Sequence, residues 1–504
     1  MTREQSKLSS VPEGWLWVST GEVSFLVTKG STPTSYGFTY KSKGINFVRV
    51  ENLENHRIQL NTIKKFIDKD TYLFLKRSQL KQNDILFSIA GTIGRVAVVA
   101  QNDLPANTNQ ALAIIRFPWK LINPHYLAAY FDSSMSLSLI RKKHRGVGIK
   151  NIGLQDIKEI IFPLAPFSEQ ERIVRKLEEL FIKLDAGVKS LQNVRTQIEL
   201  YRQAVLKYAF TGKLTEEWRK THKDTIEPAQ KLLERLKQEK KLALGKKFKE
   251  SSPPDATELP DPPENWLWVK LNDVTCKIVD GSHNPPPKQV SGIPMLSARN
   301  IIDNRIVFSD YRFISLEDFE REKIRVNIHT NDVLLTIVGT IGRSAVVTEN
   351  TPIFAIQRSV AVIRTNIRPR YLSWILQSPF YSLYFLEKAR GTAQKGIYLN
   401  QLKEMPILVP PLLEQDKIVE GIEQDFSVVD TIIEGVERIC AQANKLRQSV
   451  LKSAFEGKLV RRDSADEPAE KLLERIRKEK RYNYTEIDLK KIKRKQRRIN
   501  AYVK

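Results

Sequence analysis

The sequence predicts an α+β protein in which two similar globular domains are separated by two long helices. The helices are expected to pack as an antiparallel intramolecular coiled coil with pseudo-two-fold symmetry. Three observations lead to this fold class: an internal repeat, strand-like runs joined by glycine turns, and two long series of apolar residues at helical spacing. Because the repeated parts keep their order along the chain, the duplicated unit is a whole domain with its helix.

The internal repeat is strongest around a glycine turn. Residues 84–99 (DILFSIAGTIGRVAVV) and 332–347 (DVLLTIVGTIGRSAVV) are identical at 11 of 16 positions. A second match near the other end of each copy joins residues 203–214 to residues 448–459. Matches this far apart indicate a duplicated domain pair and exclude a solenoid of short units.

Each globular domain reads as a mixture of strands and helices. In the first, the strand-like runs 85–89 and 96–100 flank the turn Gly91–Gly94, whose two glycines permit a tight reversal. Helices are predicted over His125–Ile140 in the first domain and Tyr371–Lys388 in the second. This composition of elements indicates a compact α+β domain.

A long helix is predicted after each domain. Apolar residues recur at steps of three and four over 173–205, and again over 418–450, which is close to a heptad seam. Ser168 is a candidate N-cap, and Gly212 and Gly457 are candidate stops. The simplest partner for one apolar stripe is the other. The alternative is that each helix packs separately on its own domain.

The repeat divides the chain into six segments. They are a first globular domain (1–166), a first long helix (167–214), a helical segment with a proline-rich linker (215–262), a second globular domain (263–411), a second long helix (412–457), and a C-terminal helical segment with a basic tail (458–504). Because residues 467–481 repeat residues 227–241, which lead into the second domain, we expect the C-terminal copy to lie close to the first domain.

Composition favours a polyanionic partner. The net charge of +24 is unusual for a globular chain, and nucleic acid is the usual partner of such a protein. A lysine-rich surface that serves solubility is the alternative. No apolar run approaches the length of a membrane span, and the N-terminus lacks a signal-peptide core, so we predict a cytoplasmic protein without membrane contact.

Motifs for catalysis and for metal binding are missing from the sequence. Cys276 and Cys440 are the only cysteines, and the histidines lack zinc-like spacing. There is no GxxxxGK[ST] or HExxH sequence, and no glycine-rich cofactor loop follows a strand. Asn284–Pro286 superficially matches an adenine-methyltransferase motif, but Pro287 stands at its aromatic position. We therefore predict a noncatalytic chain that binds no cofactor and no metal.

Several short motifs, doubled in the same order, resemble a known family. Each domain opens with Trp-Leu-Trp-Val, at Trp15 and at Trp266, and the first continues with Gly30–Pro33. GTIGR turns follow, then a proline and a Glu-Gln pair before each long helix, and an ending of the form Gln-x-Val-Leu-Lys-x-Ala-Phe-x-Gly-Lys-Leu. Over its whole length the chain resembles the specificity subunit of type I restriction–modification enzymes.

The resemblance implies a division of labour. In this family each target-recognition domain reads one half of a bipartite double-stranded DNA site, and the paired helices set the unspecific gap. The subunit recruits two methyltransferase subunits, which methylate adenine with S-adenosylmethionine, and ATP-dependent restriction subunits. The poor match between the two domains outside the core motifs predicts an asymmetric site.

Two other classes of function remain open. A stand-alone architectural nucleic-acid-binding protein would bind DNA mainly through phosphates, with a steep salt dependence and little sequence discrimination. A self-sufficient methyltransferase is disfavoured because the cofactor loop is missing.

DNA readout requires arginine or lysine for guanine and asparagine or glutamine for adenine, placed on exposed loops. The candidates in the first domain are Lys29, Ser31, Thr32, Arg49, Asn52, Lys143, Arg145 and Lys150. Those in the second are Ser282, His283, Arg299, Asn300, Arg390 and Lys395. A phosphate contact or a solvated side chain is the alternative at each position.

Residues that recur in both halves are assigned more cautiously. Arg95 and Arg343 end the GTIGR turns and are expected to hold the fold, and Gln110 and Gln357 are given the same interpretation. For partner binding the candidate apolar anchors are Tyr208, Phe210 and Phe455 in the repeated helix ends. Packing between each helix end and the adjacent domain is the alternative role for these three residues.

Overall fold

The same set of small sheets is built twice along the chain. The computed structural model describes residues 11–143, 151–255, 257–391 and 395–482. They form two units: unit 1 comprises the described residues up to Ser190 and from Arg438 onwards, and unit 2 comprises the described residues between Leu191 and Glu437. Each unit therefore combines one globular domain with the beginning of the long helix that follows it and the end of the other long helix.

Unit 1 contains eleven described strands and short helices between them. The strands are β1 (Leu16–Ser19), β2 (Leu26–Lys29), β3 (Ile45–Val48), β4 (Leu53–Glu54), β5 (Arg57–Ile58), β6 (Phe66–Ile67), β7 (Ile85–Ser88), β8 (Val96–Val98), β9 (Ala106–Thr108), β10 (Leu112–Arg116) and β11 (Ile161–Leu164). The helices are α1 (Thr20–Val23), α2 (Lys69–Phe74), α3 (Pro124–Asp132), α4 (Ser134–Lys143), α5 (Leu154–Glu159) and the start of α6 (Phe167–Phe210). Short 3₁₀ helices cover Pro33–Tyr36, Val50–Asn52, Leu60–Thr62, Lys76–Ser78 and Gln101–Asp103.

The central sheet of unit 1 has the strand order β2-β10-β7-β8 and is antiparallel throughout. Both faces of this sheet are buried. Because alternate side chains of a strand point to opposite sides, neighbouring residues enter different clusters. Ile85 and Phe87 enter a cluster with α3 and the long helices, whereas Leu86 enters a second cluster with the distal strands. The distal sheet β6-β3-β9 joins β3 and β9 in parallel, and β1 pairs with β11.

Unit 2 repeats this plan. Its strands are β12 (Leu267–Lys270), β13 (Thr275–Asp280), β14 (Ile293–Leu296), β15 (Ile301–Ile302), β16 (Arg305–Ile306), β17 (Arg312–Ile314), β18 (Val333–Thr336), β19 (Ser344–Val346), β20 (Ala355–Ile356), β21 (Val360–Thr365) and β22 (Pro406–Val409). Its helices are α7 (Glu216–Thr221), α8 (Ala229–Leu244), α9 (Leu316–Arg325), α10 (Pro369–Ile375), α11 (Pro379–Lys388), α12 (Leu399–Glu404) and the start of α13 (Leu412–Phe455), with 3₁₀ helices at Gly245–Lys247, Leu271–Val274 and Ala298–Asn300.

The sheets of unit 2 have the same connections as those of unit 1. The orders β13-β21-β18-β19, β17-β14-β20 and β12-β22 match the sheets of unit 1 strand for strand, including the one parallel pair. The predicted α+β fold with a duplicated domain is therefore confirmed.

One buried ion pair recurs in the central sheet of both units. Arg116 binds both carboxylate oxygens of Asp84 at 2.6 Å, and Arg364 binds those of Asp332 at 2.8 Å. Burial is the main influence on Asp84 and raises the pKa of its carboxyl group, although Arg116 opposes the shift. The aspartate that opens each copy of the strongest repeat thus has a structural role.

Two predicted helices are interrupted. The helix expected over 125–140 breaks at Ser133, and the one expected over 371–388 ends at Ile375 and resumes at Pro379. The second break has a clear cause, since proline disfavours helical backbone in the residue before it, and Ser378 is extended with ψ 159°.

The long helices α6 and α13 each contain 44 residues. Helix α6 begins at Phe167, so Ser168 lies within its first turn and is not its N-cap. Both helices end as predicted, because Gly212 and Gly457 adopt left-handed backbone with φ of 70° and 67°. After α6, for example, the amide of Lys213 donates to the carbonyl of Tyr208 at 3.0 Å.

Within each unit the two long helices pack together and run in opposite directions. In unit 1 Arg447 of α13 forms an ion pair with Asp185 of α6 and lies 4.3 Å from the ring centre of Phe181. In unit 2 the roles are exchanged: Arg202 of α6 pairs with Asp430 of α13 and lies 5.2 Å from the ring centre of Phe426. The order of these pairs along the two helices is antiparallel, as predicted.

Part of the predicted apolar seam is exposed. Among the residues assigned to it, Ile432, Ile439 and Leu446 are 44%, 49% and 51% exposed, whereas Val429 and Val436 are buried. Burial is concentrated towards the helix ends, where each helix also packs on a globular domain. The apolar series that is close to a heptad seam is therefore not continuously buried, since these three positions are half exposed.

The repeated segment after each long helix packs on the domain of its own unit. In unit 1 Leu472 and Ile476 enter the cluster that contains Trp15, and the amide of Ala469 donates to Gly14 at 3.0 Å. In unit 2 α8 packs in the same way beside Trp266. The expected proximity of residues 467–481 to the first domain is confirmed. No helix in the described ranges is long and apolar enough to cross a membrane.

Candidate nucleic-acid interface

A glycine-serine loop lies against a second polar loop in unit 1. After β2, the amide of Gly30 donates to Leu112 at 3.1 Å and the amide of Ser31 donates to Thr108 at 2.9 Å. A side chain at Gly30 would clash with the carbonyl of Asn109. The two loops are therefore held in direct backbone contact, and only glycine fits at this position.

Polar side chains meet on this pair of loops. Arg77 donates to the hydroxyl of Ser31 at 3.2 Å, and Thr32 hydrogen-bonds to the amide oxygen of Gln110. Lys29 and Gln110 are exposed, whereas Ser31 is buried. Arg77 was not among the sequence candidates, since the fold alone brings the segment after α2 next to the loop.

Unit 2 builds the same loop pair with different side chains. The amide of Gly281 donates to Val360 at 3.1 Å, and the amide of Ser282 donates to Ile356 at 2.9 Å. The hydroxyl of Ser282 donates to Glu322 at 2.7 Å, so a carboxylate stands where unit 1 has a guanidinium.

His283 is anchored beside this loop by a carboxylate. Its imidazole lies 2.7 Å from Asp280, which also forms an ion pair with Arg325. The imidazole is 55% exposed and is open to a ligand.

Backbone hydrogen bonds define which residues of the two loop pairs are equivalent. Because Thr108 and Ile356 accept from equivalent serines, Gln110 is equivalent to Arg358. The interpretation of Gln110 and Gln357 as a retained pair is therefore wrong by one residue. Arg358 is exposed, and its guanidinium has no hydrogen bond or ion pair among the described residues.

Asn52 and Asn300 are structural residues, which corrects their assignment to DNA contact. Asn52 is 3% exposed; it accepts from the amide of Arg49 at 2.8 Å and donates to the carbonyl of Thr62 at 3.0 Å. Asn300 is 1% exposed and bonds to backbone groups in the same manner. Since both amides are used within the fold, neither can reach a base.

Arg49 and Arg299 are accessible but are not equivalent. Arg49 precedes the 3₁₀ turn and pairs with Glu51 at 2.9 Å. Arg299 lies inside the equivalent turn and pairs with Asp310 at 2.7 Å. Exposed pairs of this kind are weak, so both guanidinium groups can be drawn to a phosphate or a base.

The remaining DNA candidates of unit 2 lie on a loop near the end of its domain. Arg390 and Lys395 are exposed, and the backbone of Arg390 exchanges hydrogen bonds of 2.8 and 3.0 Å with Gly396. Arg145 and Lys150 lie outside the described residues, as does the side chain of Lys143. Among the described residues no group of three histidine, cysteine or acidic side chains is arranged to hold a metal.

Two of the three partner-binding candidates are buried within their units. Phe210 is 4% exposed and stacks on Phe380 with ring centres 4.7 Å apart. Phe455 is 2% exposed and packs edge-on against Tyr130 at 5.0 Å. The alternative role, packing of the helix end on the domain, is correct for both. Tyr208 is 53% exposed and remains available.

The scaffold role expected for Arg95 is supported by its contact. Its guanidinium donates to the carbonyl of Val50 at 3.3 Å, which links the GTIGR turn to the distal lobe.

A family model described as the type I restriction modification DNA specificity domain matches residues 12–194 and 263–438. The chain belongs to this family. The resemblance drawn from the motifs is thereby confirmed. The chain is a noncatalytic DNA specificity subunit of a type I restriction–modification system and a component of that complex.

Relatives match the chain over nearly its full length. The type I restriction enzyme EcoBI specificity subunit of Escherichia coli is 26% identical over 493 residues, covering 94% of this chain and 94% of the relative. The EcoKI specificity subunit of Escherichia coli strain K12 is 26% identical over 492 residues, covering 93% and 96%.

A solved structure supports the fold. A chain from a study of complex assembly and conformational transition of the type I R-M system aligns with a TM-score of 0.61. It is 20% identical, and the alignment covers 90% of this chain and all of that chain.

Proposed function

We propose that each unit reads one half of a bipartite, asymmetric DNA site and that α6 and α13 together set the length of the unspecific gap. The observation that carries this proposal is the pair of equivalent loops at 30–32 and 281–283. The two loops share their backbone hydrogen bonds but differ in their polar neighbours, Arg77 in one unit and Glu322 in the other. One scaffold with two different polar surfaces suits two different half-sites.

The solvent-accessible side chains around these loops are the proposed contacts. In unit 1 they are Lys29, Thr32 and Arg49, and in unit 2 His283, Arg299, Arg390 and Lys395. Ser31 and Ser282 are buried, so we assign them to positioning of the loop. Lys143, Arg145 and Lys150 stay predictions from sequence.

The test is the methylation pattern that the assembled enzyme produces. The chain is co-expressed with its methyltransferase subunits, and the host DNA is sequenced by a single-molecule method that detects N6-methyladenine. A single bipartite motif, lost when this chain is omitted, is the expected result. A stable complex without a motif would contradict sequence recognition, and DNA binding without discrimination would favour an architectural role.

The ruler role of the helices is tested by lengthening both of them. One heptad is inserted into α6 between Asp185 and Arg202, and one into α13 between Asp430 and Arg447, so that the ion pairs keep their facing positions. Seven residues add about 10 Å of helix, or roughly three base pairs at 3.4 Å each. We expect a longer gap with unchanged half-sites. An unchanged gap in a folded, active complex would refute the ruler.

We further propose that two methyltransferase subunits and the ATP-dependent restriction subunits bind this chain, and that the methyltransferases contact the repeated helix ends. Lys207 and Lys452 occupy the same position of the repeat and are both exposed, so the contact is present twice. Tyr208 adds exposed apolar area in unit 2, where unit 1 has Ser453. Lys207→Glu and Lys452→Glu together, and Tyr208→Ala alone, should reduce co-purification of the methyltransferase. Tyr482→Ala is the control, since Tyr482 is 73% exposed in a different segment.

A further inference from the structure

Gln110 and Arg358 stand out because they occupy the same place on two equal scaffolds and carry different recognition chemistry. Each lies two residues after the carbonyl that accepts from the loop serine, and each is exposed. By residue type alone, Gln110 would correspond to Gln357. The backbone hydrogen bonds now set the correct equivalence.

The position is preorganised in both units. At Gly30 and Gly281 the neighbouring loop approaches so closely that a side chain would not fit. Backbone hydrogen bonds join the two loops at this point. The amide of Arg358 itself donates to the carbonyl of Ser282 at 2.9 Å. The backbone from which each side chain projects is therefore fixed, which places the side chain at a defined point for direct readout of a base.

The chemistry of the two side chains matches two different bases. In Gln110 the amide oxygen accepts from Thr32, which orients the group, and its second lone pair and its NH2 remain for a ligand. A glutamine amide pairs with the N6 and N7 edge of adenine, whereas an arginine guanidinium pairs with O6 and N7 of guanine. Arg358 has no competing acceptor among the described residues.

We infer that Gln110 and Arg358 are specificity-determining residues, Gln110 reading an adenine in one half-site and Arg358 a guanine in the other. This inference rests on the proposed function, because it requires that each unit reads one half-site. Beyond the proposed function, it assigns one base contact in each unit to a named side chain. The two side chains occupy equivalent positions in the two units.

The test compares alanine variants with matched controls in the methyltransferase complex. Gln110→Ala and Arg358→Ala are paired with Gln101→Ala and Arg321→Ala, which remove exposed side chains of the same type elsewhere in the same unit. Each complex is expressed in cells, and the methylated fraction of every related sequence is measured by single-molecule sequencing. Gln110→Ala should reduce discrimination at one position of one half-site, by about 5-fold to 150-fold, and leave the other half unchanged. Arg358→Ala should do the same in the opposite half.

Exchange variants strengthen the test, since they keep a polar side chain on the loop. Gln110→Arg should shift the preferred base towards guanine at the position that Gln110→Ala relaxes, and Arg358→Gln should shift its own position towards adenine. Co-purification of the methyltransferase subunits shows that each variant is folded.

The outcomes separate this inference from the proposed function. If the unaltered chain produces no bipartite motif, the proposed function fails. If it produces one and the alanine variants discriminate like their controls, the assignment of Gln110 and Arg358 is overturned. Loss of binding that is uniform across sequences would indicate phosphate contacts and would also overturn it, as would an effect of both variants on the same half-site.

Discussion

Replacing Glu414 with glutamine should destabilise unit 2 much more than the equivalent change at Glu169 destabilises unit 1. The two glutamates occupy the same place in the repeat, in the first turn of each long helix, and both are buried. Each accepts a hydrogen bond of 2.8 Å from the first tryptophan of its domain, Trp15 or Trp266. Their remaining contacts differ, and this difference determines the expected result.

Both carboxylate oxygens of Glu414 accept hydrogen bonds. Besides Trp266, it accepts from the hydroxyl of Thr215 at 2.7 Å and from Arg219 at 2.8 Å, and its side chain is fully buried. Arg219 is itself mostly buried, at 14% exposure, and lies over the ring of Trp266. Removal of one partner from a buried ion pair costs about 3–5 kcal/mol, because the other charge stays buried. Since glutamine keeps one acceptor oxygen, we expect about 3 kcal/mol for Glu414→Gln.

Glu169 has a poorer environment. Its second carboxylate oxygen is buried and has no hydrogen-bond partner among the described residues. Burial raises the pKa of Glu169, and the bond from Trp15 and the charge of Arg172 only partly oppose the shift. Glutamine keeps the acceptor for Trp15 and removes a poorly solvated charge. The change in unfolding free energy for Glu169→Gln should therefore stay within about 1 kcal/mol, and a gain is expected near neutral pH.

The contribution of Glu169 to the stability of unit 1 should depend on pH. A carboxyl whose pKa is higher in the folded chain than in the unfolded chain holds its proton more readily when folded, so stability falls as pH rises from the usual value of 4.5 through the folded pKa. Glu169→Gln should remove this contribution.

The assay is guanidinium unfolding of the full chain, followed by tryptophan fluorescence and circular dichroism, at pH 5 and at pH 8. Midpoints are compared between variants because a chain with two units need not unfold in one step. Glu423→Gln is the control, since its ion pair with Arg370 is exposed and should contribute less than about 1 kcal/mol. Equal losses for Glu169→Gln and Glu414→Gln would refute the reasoning from the unpaired oxygen.

Two further predictions concern the scaffold. Gly457→Ala should cost more than about 1 kcal/mol, because Gly457 has a φ of 67° and an added methyl group would clash with Pro12. Gly435→Ala, within α13 and with open space around it, should instead stabilise by up to about 1 kcal/mol, and the two unfolding midpoints give the comparison. Arg364→Met should cost about 3–5 kcal/mol, since it leaves Asp332 buried without its cation, and a smaller loss in thermal unfolding would contradict this value.

Much of the scaffold could be predicted because the repeat marks it. The order of parts, the strands around the GTIGR turns and the glycine stops of the long helices all follow from local residue chemistry. The break before Pro379 was not predicted although the proline is a local signal for it, whereas the break at Ser133 has no comparable signal. The exposed positions of the helix seam, such as Ile439, could not be predicted from periodicity, because the extent of burial depends on tertiary packing.

Residues that contact bases were harder to predict, because a residue can recur in both copies either for DNA contact or for holding the fold. Asparagine suits adenine and recurs at Asn52 and Asn300, yet both residues hold a turn through their buried amides. Gln110 and Gln357 match in residue type, but backbone contacts make Arg358, one residue later, the equivalent of Gln110.

The aspartates 84 and 332 and the glutamates 169 and 414 recur in both units, are buried and maintain the common scaffold. Two half-sites of different sequence cannot be read by identical side chains. Under the proposed function, the residues that discriminate between the half-sites are expected to be exposed and to differ in chemistry between the two units, as side chains at equivalent backbone positions can. Gln110 and Arg358 meet these conditions, since backbone hydrogen bonds make them equivalent and they lie on the loops where both units leave room only for glycine.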